Sequence, residues 1–309
     1  MITRDVSAFV AFARTLAPDA GAATPHAAFL VAPDGFRLAT QSAGDNRYMA
    51  QASAFNATRA SQQHRDLQRA ISSELPVICF AGDPDTPDAV FPNNVFATAH
   101  LASHVAPRYI VGRMRHPVRQ QEALRADMRD FFGNVLGYEA VDLSIQPHPC
   151  ELTGALVIDR ARGIGFCGLS ERCDEAGAHL LHEAFGLRAT LLFALAPGEY
   201  HANVVLAILA GRAALICPQG FADPSVVDTI AALYAPHAIV LSAAEHAAFA
   251  GNAIALSPGH VWMSTTAERA LTTASRLGLA AAGLAVRSVE LDAIEAGGGS
   301  LRCCIGEIF

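Results

Sequence analysis

Five polar residues recur at a nearly constant interval along the chain, each within a short apolar segment typical of a buried strand. They are Asn94, Glu151, His201, Asn252 and Cys303, and neighbours are separated by 57, 50, 51 and 51 residues. A regular interval of this length indicates repeated structural units. The spacing therefore predicts five similar units, whose polar side chains converge on one axis.

Short apolar runs alternate with helical patterns along the whole sequence. The predicted strands are residues 27–32, 76–81, 155–159, 204–210, 213–217, 238–242 and 286–291. The predicted helices lie within residues 116–133, 170–186, 223–236 and 265–278, with Ser170 as the N-cap of the second, and a short amphipathic helix is expected near Met1. No low-complexity linker divides the chain. This order predicts a single α/β domain over residues 1–309.

Composition excludes several classes of function. The formal net charge is −7, which offers no electrostatic basis for binding nucleic acid. The sequence contains no lysine, so neither a Schiff-base lysine nor the phosphate-binding lysine of a P-loop is available. No apolar run approaches the roughly 18 residues of a membrane span. The seven cysteines form no C-x-x-C pair, which favours a reducing, cytoplasmic location.

Two further patterns are weaker signals. Residues 163–168, "GIGFCG", match the dinucleotide-binding pattern G-x-G-x-x-G. Because Ile164, Phe166 and Leu169 approximate the alternation of a strand, a strand is the favoured interpretation. His100 and His104 have the spacing of metal ligands on a helix, but no third ligand lies nearby in sequence. We therefore expect neither a cofactor nor a metal.

A cysteine, a histidine and a carboxylate could together perform nucleophilic catalysis. Cys303 is the candidate nucleophile, because a thiolate is the reactive form of cysteine. His201 can transfer protons near neutral pH, and Glu151 can orient the imidazole. In a strand, Cys303 and Cys304 point to opposite faces, so at most one of them faces a cavity. Cys304 stays open as the alternative nucleophile.

Five segments resemble one known superfamily, in the order in which that superfamily has them. "GGGSLRC" (297–303) resembles the terminal nucleophile motif of the guanidine-modifying hydrolases and amidinotransferases, the penteins. "VFPNNVFATAH" (90–100), "ELTGALVID" (151–159), "EYHANVV" (199–205) and "GNAIAL" (251–256) resemble its other site segments. The resemblance is greatest to the citrulline-utilisation hydrolases. It implies a five-bladed α/β propeller of ββαβ units.

The resemblance also implies roles for individual residues. Cys303 would attack the planar carbon of a guanidino or ureido group, while His201 and Glu151 would transfer protons and hold substrate nitrogens. The substrate-binding positions would include Asn94, Asn93 and Asn252. Deiminases carry an aspartate where this chain has Asn94. Because an asparagine side chain has no charge, it can accommodate a neutral ureido group.

The expected function is that of a cysteine-dependent hydrolase that cleaves C–N bonds of citrulline, arginine or both. A deiminase, an amidinotransferase and a non-catalytic pentein scaffold are the alternatives. Arg113, Arg115 and Arg119 are candidates for binding the carboxylate of a small-molecule substrate. The choice among these arginines stays open, as does the choice between monomer and homodimer.

Overall fold

The computed structural model describes residues 1–50, 55–100 and 106–309. Its strands are β1 (Ile2–Thr3), β2 (Ala27–Val31), β3 (Val77–Phe80), β4 (Phe96–Ala99), β5 (Arg108–Val111), β6 (Glu139–Asp142), β7 (Leu156–Asp159), β8 (Ile164–Leu169), β9 (Ala189–Ala194), β10 (Leu206–Leu209), β11 (Ala213–Ile216), β12 (Ala238–Val240), β13 (Ile254–Ser257), β14 (His260–Ser264), β15 (Ala285–Val289) and β16 (Gly306–Ile308). The seven predicted strands are present among them.

Helices connect these strands, and most are short. They are α1 (Val6–Ala13), α2 (Thr40–Ala43), α3 (Arg47–Ala50), α4 (Ala57–Ile71), α5 (Pro117–Gln120), α6 (Ala126–Asp130), α7 (Leu152–Ala155), α8 (Glu175–Ala184), α9 (Ala202–Val205), α10 (Pro224–Leu233), α11 (Ala243–Ala247), α12 (Thr265–Ala270), α13 (Thr273–Ala281) and α14 (Asp292–Glu295). Single 3₁₀ turns lie at Pro92–Asn94, Gln121–Leu124, Pro218–Gly220 and Leu301–Cys304, and a π-helical turn lies at Phe131–Val135.

The strands form separate small sheets that repeat one pattern. Their orders are β4-β5-β6, β7-β8-β9, β10-β11-β12, β13-β14-β15 and β16-β2-β3, with β1 added beside β9. In each sheet the first two strands are antiparallel, and the third lies parallel to the second after a helical connection. The described chain is thus a mixed α/β fold of repeated ββαβ units. Closure of the five sheets into a propeller stays a prediction.

The last strand pairs with a strand from the first part of the chain. Gly306 and Ile308 of β16 lie opposite Phe29 and Ala27 of β2. A side chain at position 306 would meet the Phe29 ring at 2.1 Å, so only glycine permits this approach. This pairing fixes the Leu301–Cys304 turn in the interior.

The five regularly spaced polar residues lie just before the first strand of each sheet, not within strands as predicted. Asn94 and Cys303 belong to 3₁₀ turns, Glu151 and His201 precede the one-turn helices α7 and α9, and Asn252 lies in a bend. A short apolar run cannot distinguish a helical turn from a strand. The prediction that Cys303 and Cys304 lie in a strand is therefore wrong, and the face-alternation argument does not apply to them.

Some predicted helix boundaries are also wrong. Asp174 caps α8, because its Oδ1 accepts a hydrogen bond from the Gly177 amide at 2.7 Å, whereas Ser170 lies outside the helix. Residues 265–278 contain two helices, α12 and α13, which are separated at Leu271. Thr272 begins the second helix and donates two hydrogen bonds to the Glu245 carboxylate. This distant contact is invisible in local sequence.

Residues 163–168, which match a dinucleotide-binding pattern, fall almost entirely within the strand β8, as expected. Among the described residues, no helix combines the length and apolar character required to cross a bilayer. His104 lies outside the described residues, so its prediction as a non-ligand is untested.

Candidate active site

The Leu301–Cys304 turn presents the Cys303 sulfur to a buried cavity. The Cys303 amide donates a hydrogen bond to the Ser300 carbonyl oxygen at 3.0 Å, which holds the turn. Asn252 Nδ2 donates to Cys303 Sγ at 3.3 Å. Burial raises the pKa of the Cys303 thiol, although the hydrogen bond from Asn252 opposes this shift. The free protein therefore holds a thiol that a positive charge could convert to thiolate.

Cys304 differs from Cys303 in where its sulfur lies. Its Sγ is buried and donates to the Ser300 carbonyl oxygen at 3.5 Å. Cys303 lines the catalytic cavity described below, whereas Cys304 does not. Burial raises the pKa of Cys304 well above its ordinary value. The geometry thus favours Cys303 as the reactive sulfur.

His201 and Glu151 form a buried hydrogen-bonded pair. His201 Nε2 lies 2.8 Å from Glu151 Oε2, and both side chains are fully buried. Burial lowers the pKa of His201, and the adjacent Glu151 carboxylate opposes this shift. His201 Nδ1 has no hydrogen-bond partner. A neutral His201 that donates through Nε2 therefore has Nδ1 free to accept a proton.

Gly154 permits His201 and Asn94 to approach one another. A side chain at position 154 would lie 2.6 Å from Asn94 Oδ1 and 2.9 Å from His201 Nδ1. Both of these atoms are buried and without a partner. Asn94 and Cys303 line the same cavity, whereas His201 does not line it, and the free nitrogen of His201 lies close to Asn94 across Gly154. The structure thus brings together residues from three different sheets.

Arg172 links the Glu151 carboxylate to a second carboxylate. Its guanidinium lies 3.2 Å from Glu151 Oε2 and makes two hydrogen bonds to Asp45, at 2.6 and 2.8 Å. Burial opposes ionisation of Glu151, but the Arg172 charge and the His201 hydrogen bond hold the pKa of this carboxyl well below its ordinary value. Glu151 is therefore ionised at neutral pH.

The catalytic cavity encloses about 20 Å³. Its lining residues are Ser42, Asn46, Met49, Asp88, Phe91, Asn94, Arg119, Arg172, Tyr200, Gly297, Gly299 and Cys303. Asp88 is buried, and its Oδ2 accepts a hydrogen bond from Ser42 while its Oδ1 has no partner. A carboxylate oxygen without a partner in a cavity is suited to binding a cation.

Several other buried polar atoms around the site lack partners. They are Asn93 Oδ1 and Nδ2 and Asn252 Oδ1, in addition to those of Asn94, Asp88 and His201. Each unpaired buried group costs about 1–3 kcal/mol. A cluster of such groups indicates a site whose hydrogen bonds are completed by a ligand.

The three candidate arginines have different positions. Arg113 donates to the Ser144 carbonyl oxygen, and the half-exposed Arg115 side chain lies 3.4 Å from Glu171. Neither side chain lines the catalytic cavity, and Arg115 contacts the site only through its backbone amide, which donates to Glu151 Oε1 at 3.0 Å. Arg119 does line the cavity, although it forms an ion pair with Glu122.

Sequence reasoning missed Asp45, Asp88, Arg172 and Asn203. Arg172 lies in the segment predicted as the start of a helix, so nothing in its local pattern indicated a site. Asn203 lies two residues after His201 within "EYHANVV", and its position in that motif could have indicated it. Its Oδ1 lies 3.9 Å from Cys303 Sγ. The described residues contain no group of three or more acidic, histidine or cysteine side chains suited to a metal ion.

Comparison with solved structures shows the fold. The N-terminal domain of ArgZ, an arginine dihydrolase from the ornithine–ammonia cycle in cyanobacteria, has a TM-score of 0.77 at 20% identity and covers 91% of this chain and 97% of that structure. Unliganded AgrE has a TM-score of 0.76 at 22% identity, over 91% of this chain and 39% of AgrE. A dimethylarginine dimethylaminohydrolase adduct with S-methyl-L-thiocitrulline has a TM-score of 0.69 at 17% identity, and the match covers 92% of this chain and 100% of that structure.

A comparison with curated proteins gives no match in sequence. The family model described as "N,N dimethylarginine dimethylhydrolase, eukaryotic" matches residues 32–309, which include every residue of the catalytic cavity. The chain therefore belongs to the N,N-dimethylarginine dimethylhydrolase family of the guanidine-modifying pentein superfamily, and it is a hydrolase of C–N bonds other than peptide bonds.

Proposed function

We propose that the chain hydrolyses a guanidino amino acid of the arginine type through a covalent adduct on Cys303, and that it also accepts the ureido product, citrulline. One observation carries this proposal. The buried cavity is lined by Cys303 and by Asp88 and Asn94, each with an unpartnered oxygen, and the free nitrogen of His201 lies close to Asn94. This set provides a nucleophile, a proton carrier and acceptors for substrate N–H groups.

The reaction begins with attack of the Cys303 thiolate on the planar guanidino carbon, which forms a C–S bond. A cationic guanidinium beside the sulfur favours the thiolate, because an opposite charge at close range lowers a pKa. His201 Nδ1 takes the thiol proton as the thiolate forms, and it then gives this proton to the departing nitrogen as the C–N bond breaks. Water then attacks the thiouronium-type adduct, His201 takes a proton from it, and the C–S bond breaks to release the ureido product.

Two side chains distinguish the head groups of possible substrates. The free oxygen of Asp88 favours a cationic guanidinium through a charge-assisted hydrogen bond. The Asn94 amide offers a neutral acceptor and donors, which suit a ureido group. A site with one charged and one neutral acceptor supports successive turnover of arginine and citrulline. In the second turnover Cys303 displaces ammonia from the ureido carbon, water releases the carbamate from the sulfur, and the carbamate loses carbon dioxide to give ornithine. We propose that Asn93 assists in binding the head group and that Asn252 stabilises the sulfur.

The cavity also contains a place for the carboxylate of the amino acid. Arg119 and Arg172 both line it, and Arg172 presents a bidentate guanidinium face that Asp45 occupies in the free protein. We propose that the substrate carboxylate contacts these two arginines.

A product assay tests the proposed function. The protein is incubated separately with arginine, citrulline, N,N-dimethyl-arginine and agmatine, and ammonia, dimethylamine, citrulline, ornithine and putrescine are measured. We expect arginine to yield ammonia and citrulline first, and ornithine afterwards. Citrulline without ornithine would indicate a deiminase, dimethylamine release would indicate a methylated substrate, and no product from any of them would contradict the proposal.

Replacement of one amide sharpens the choice of head group. Asn94→Asp should raise the ratio of kcat/KM for arginine to that for citrulline by roughly tenfold, because a charged hydrogen bond contributes more than a neutral one. The ratio is measured from initial rates with both substrates. An unchanged ratio would remove Asn94 from head-group selection.

The larger organisation follows from the same family. We propose that the five sheets are the blades of a closed pentein propeller and that residues 1–309 form one domain around the site. The choice between monomer and homodimer and the cytoplasmic location stay predictions.

A further inference from the structure

A second cavity lies among the first strands of the sheets. It encloses about 40 Å³, and its walls come from β7, β10 and β13. The charged residues that line it are Arg160, Arg302 and Glu307. We call it the inner cavity. None of these three residues belongs to the catalytic cavity described above.

The inner cavity contains more positive than negative charge. Glu307 Oε2 lies 2.8 Å from Arg302 Nη2 and 3.7 Å from Arg160 Nη2, so one carboxylate is shared between two guanidinium groups. All three side chains are only 12–13% exposed. Arg160 also packs against the ring of Phe309, with its guanidinium carbon 4.3 Å from the ring centroid. Burial lowers the pKa of Arg160 to about 10, and Glu307 opposes this shift. One positive charge in a buried space is therefore not compensated.

A donor without a partner lies in the same wall. Asn203 lines the inner cavity, is 2% exposed, and has no hydrogen-bond partner for Nδ2. The opposite atom of this amide, Oδ1, lies 3.9 Å from Cys303 Sγ and 3.5 Å from Asn252 Nδ2. With Oδ1 directed at the sulfur, Nδ2 is the amide atom available to the inner cavity. An uncompensated charge and a free N–H donor together specify an anion.

We propose that the inner cavity binds a small monovalent anion, of the size of a halide or bicarbonate, held by Arg160, Arg302 and the Nδ2 donor of Asn203. One negative charge balances the surplus in the cavity, whereas a divalent anion would leave a new uncompensated charge among apolar strands. The Arg302 charge favours the Cys303 thiolate. An anion beside Arg302 weakens that effect, so occupancy slows the reactions of Cys303.

Chloride serves as the probe. Gluconate, which is too large for this site, replaces it as the control anion at the same ionic strength. Two readouts are followed in the intact protein: the thermal unfolding midpoint and the rate at which iodoacetamide alkylates each cysteine, by peptide mass spectrometry. Neither requires turnover, so failure of this inference is distinct from failure of the proposed function. We expect chloride to raise the midpoint, by linkage of binding to folding. We also expect it to slow alkylation of Cys303, while the exposed Cys79 is unaffected.

Two substitutions should change chloride affinity in opposite directions. Arg160→Gln should weaken it by about fivefold or more, and Glu307→Gln should strengthen it by about threefold or more, since it removes the competing carboxylate. Arg188→Gln, at a half-exposed pair with Asp19, should leave it unchanged. General damage to the fold cannot increase chloride affinity. If the Arg160→Gln variant fails to fold, the affinity of Glu307→Gln therefore tests the proposal alone. Equal effects of chloride and gluconate, or weaker chloride binding in Glu307→Gln, would overturn the proposal.

Discussion

The two sides of the catalytic cavity are built in different ways. What we call the floor consists of Asn94 and Cys303, which line the cavity, and of Glu151, His201 and Asn252, which hold equivalent positions before first strands but do not line it. The cover consists of residues 40–49, which include α2 and almost all of α3. Three floor residues retain a polar atom without a partner. In the cover, Ser42 donates to Asp88, Asp45 accepts from Arg172, and Asn46 Nδ2 donates to the Gly298 carbonyl oxygen.

This difference indicates that the floor carries the reaction steps and that the cover controls access to the cavity. Each floor residue is held by a turn that the following strand fixes, so its position does not depend on a ligand. The cover is joined to the rest of the cavity by hydrogen bonds and ion pairs, and a charged substrate can compete for the same partners. Substitutions in the floor should therefore remove reaction steps, whereas substitutions in the cover should change opening and binding.

The largest effect is expected at Cys303. Cys303→Ser should lower kcat/KM by a factor on the order of 10³ or more, because a serine hydroxyl ionises far less readily than a thiol. Cys304→Ser is the matched control, and it should retain activity within about tenfold, since its hydroxyl can still donate to the Ser300 carbonyl oxygen. Rates and mass spectrometry of the trapped adduct measure both. Loss of activity in Cys304→Ser alone would mean that the wrong sulfur has been assigned.

The next largest effect is expected at Arg172, which joins floor and cover. Arg172→Gln leaves the Glu151 carboxylate buried without its main counter-charge, so the free energy of unfolding at pH 7 should fall by about 3 kcal/mol. In the original protein the pKa of Glu151 is lower in the folded state than in the unfolded state. Ionised Glu151 therefore stabilises the fold at pH values above the ordinary pKa of a glutamate, and this contribution is lost as pH falls. In the variant, protonation relieves the unpaired charge.

The stability difference between the two proteins should therefore narrow between pH 7 and pH 4. Urea unfolding at several pH values measures it, with Arg115→Gln as a control, because the Arg115 side chain is half exposed and only its backbone amide contacts Glu151. A difference that is constant across this range would show that Arg172 does not act through Glu151.

The floor could be predicted from sequence because each of its residues comes at most five positions before an apolar strand. A repeat of about 50 residues gives such positions a regular spacing, and the segments around His201 and Cys303 resemble a known superfamily. The local conformation was harder to predict, since one continuous apolar run, residues 204–209, covers both the end of the one-turn helix α9 and the strand β10.

The cover could not be predicted because its contacts are distant in sequence. Asp45 and Arg172 are separated by 127 residues, and residues 40–49 show no apolar periodicity that would assign them to a helix or a strand. Asp88 was missed for the same reason, because its value as a cation-binding group depends on burial and on Ser42. Long-range polar contacts leave no local pattern, so only the folded chain shows them.

The smallest effect is expected at Asp45. Asp45 of the cover contacts both Arg172 and His116, and Asp45→Asn removes the negative charge from these two contacts. The loss of roughly 1–2 kcal/mol from this charged hydrogen bonding should raise amide hydrogen exchange within residues 40–49 by about tenfold. Exchange in the Leu301–Cys304 turn should not change, because β16 holds that turn. Asp19→Asn, at a half-exposed pair with Arg188, is the matched control and should leave both regions as they were. Faster exchange in the turn as well as in the cover would show that the two sides of the cavity open together, and the separation of chemistry from access would fail.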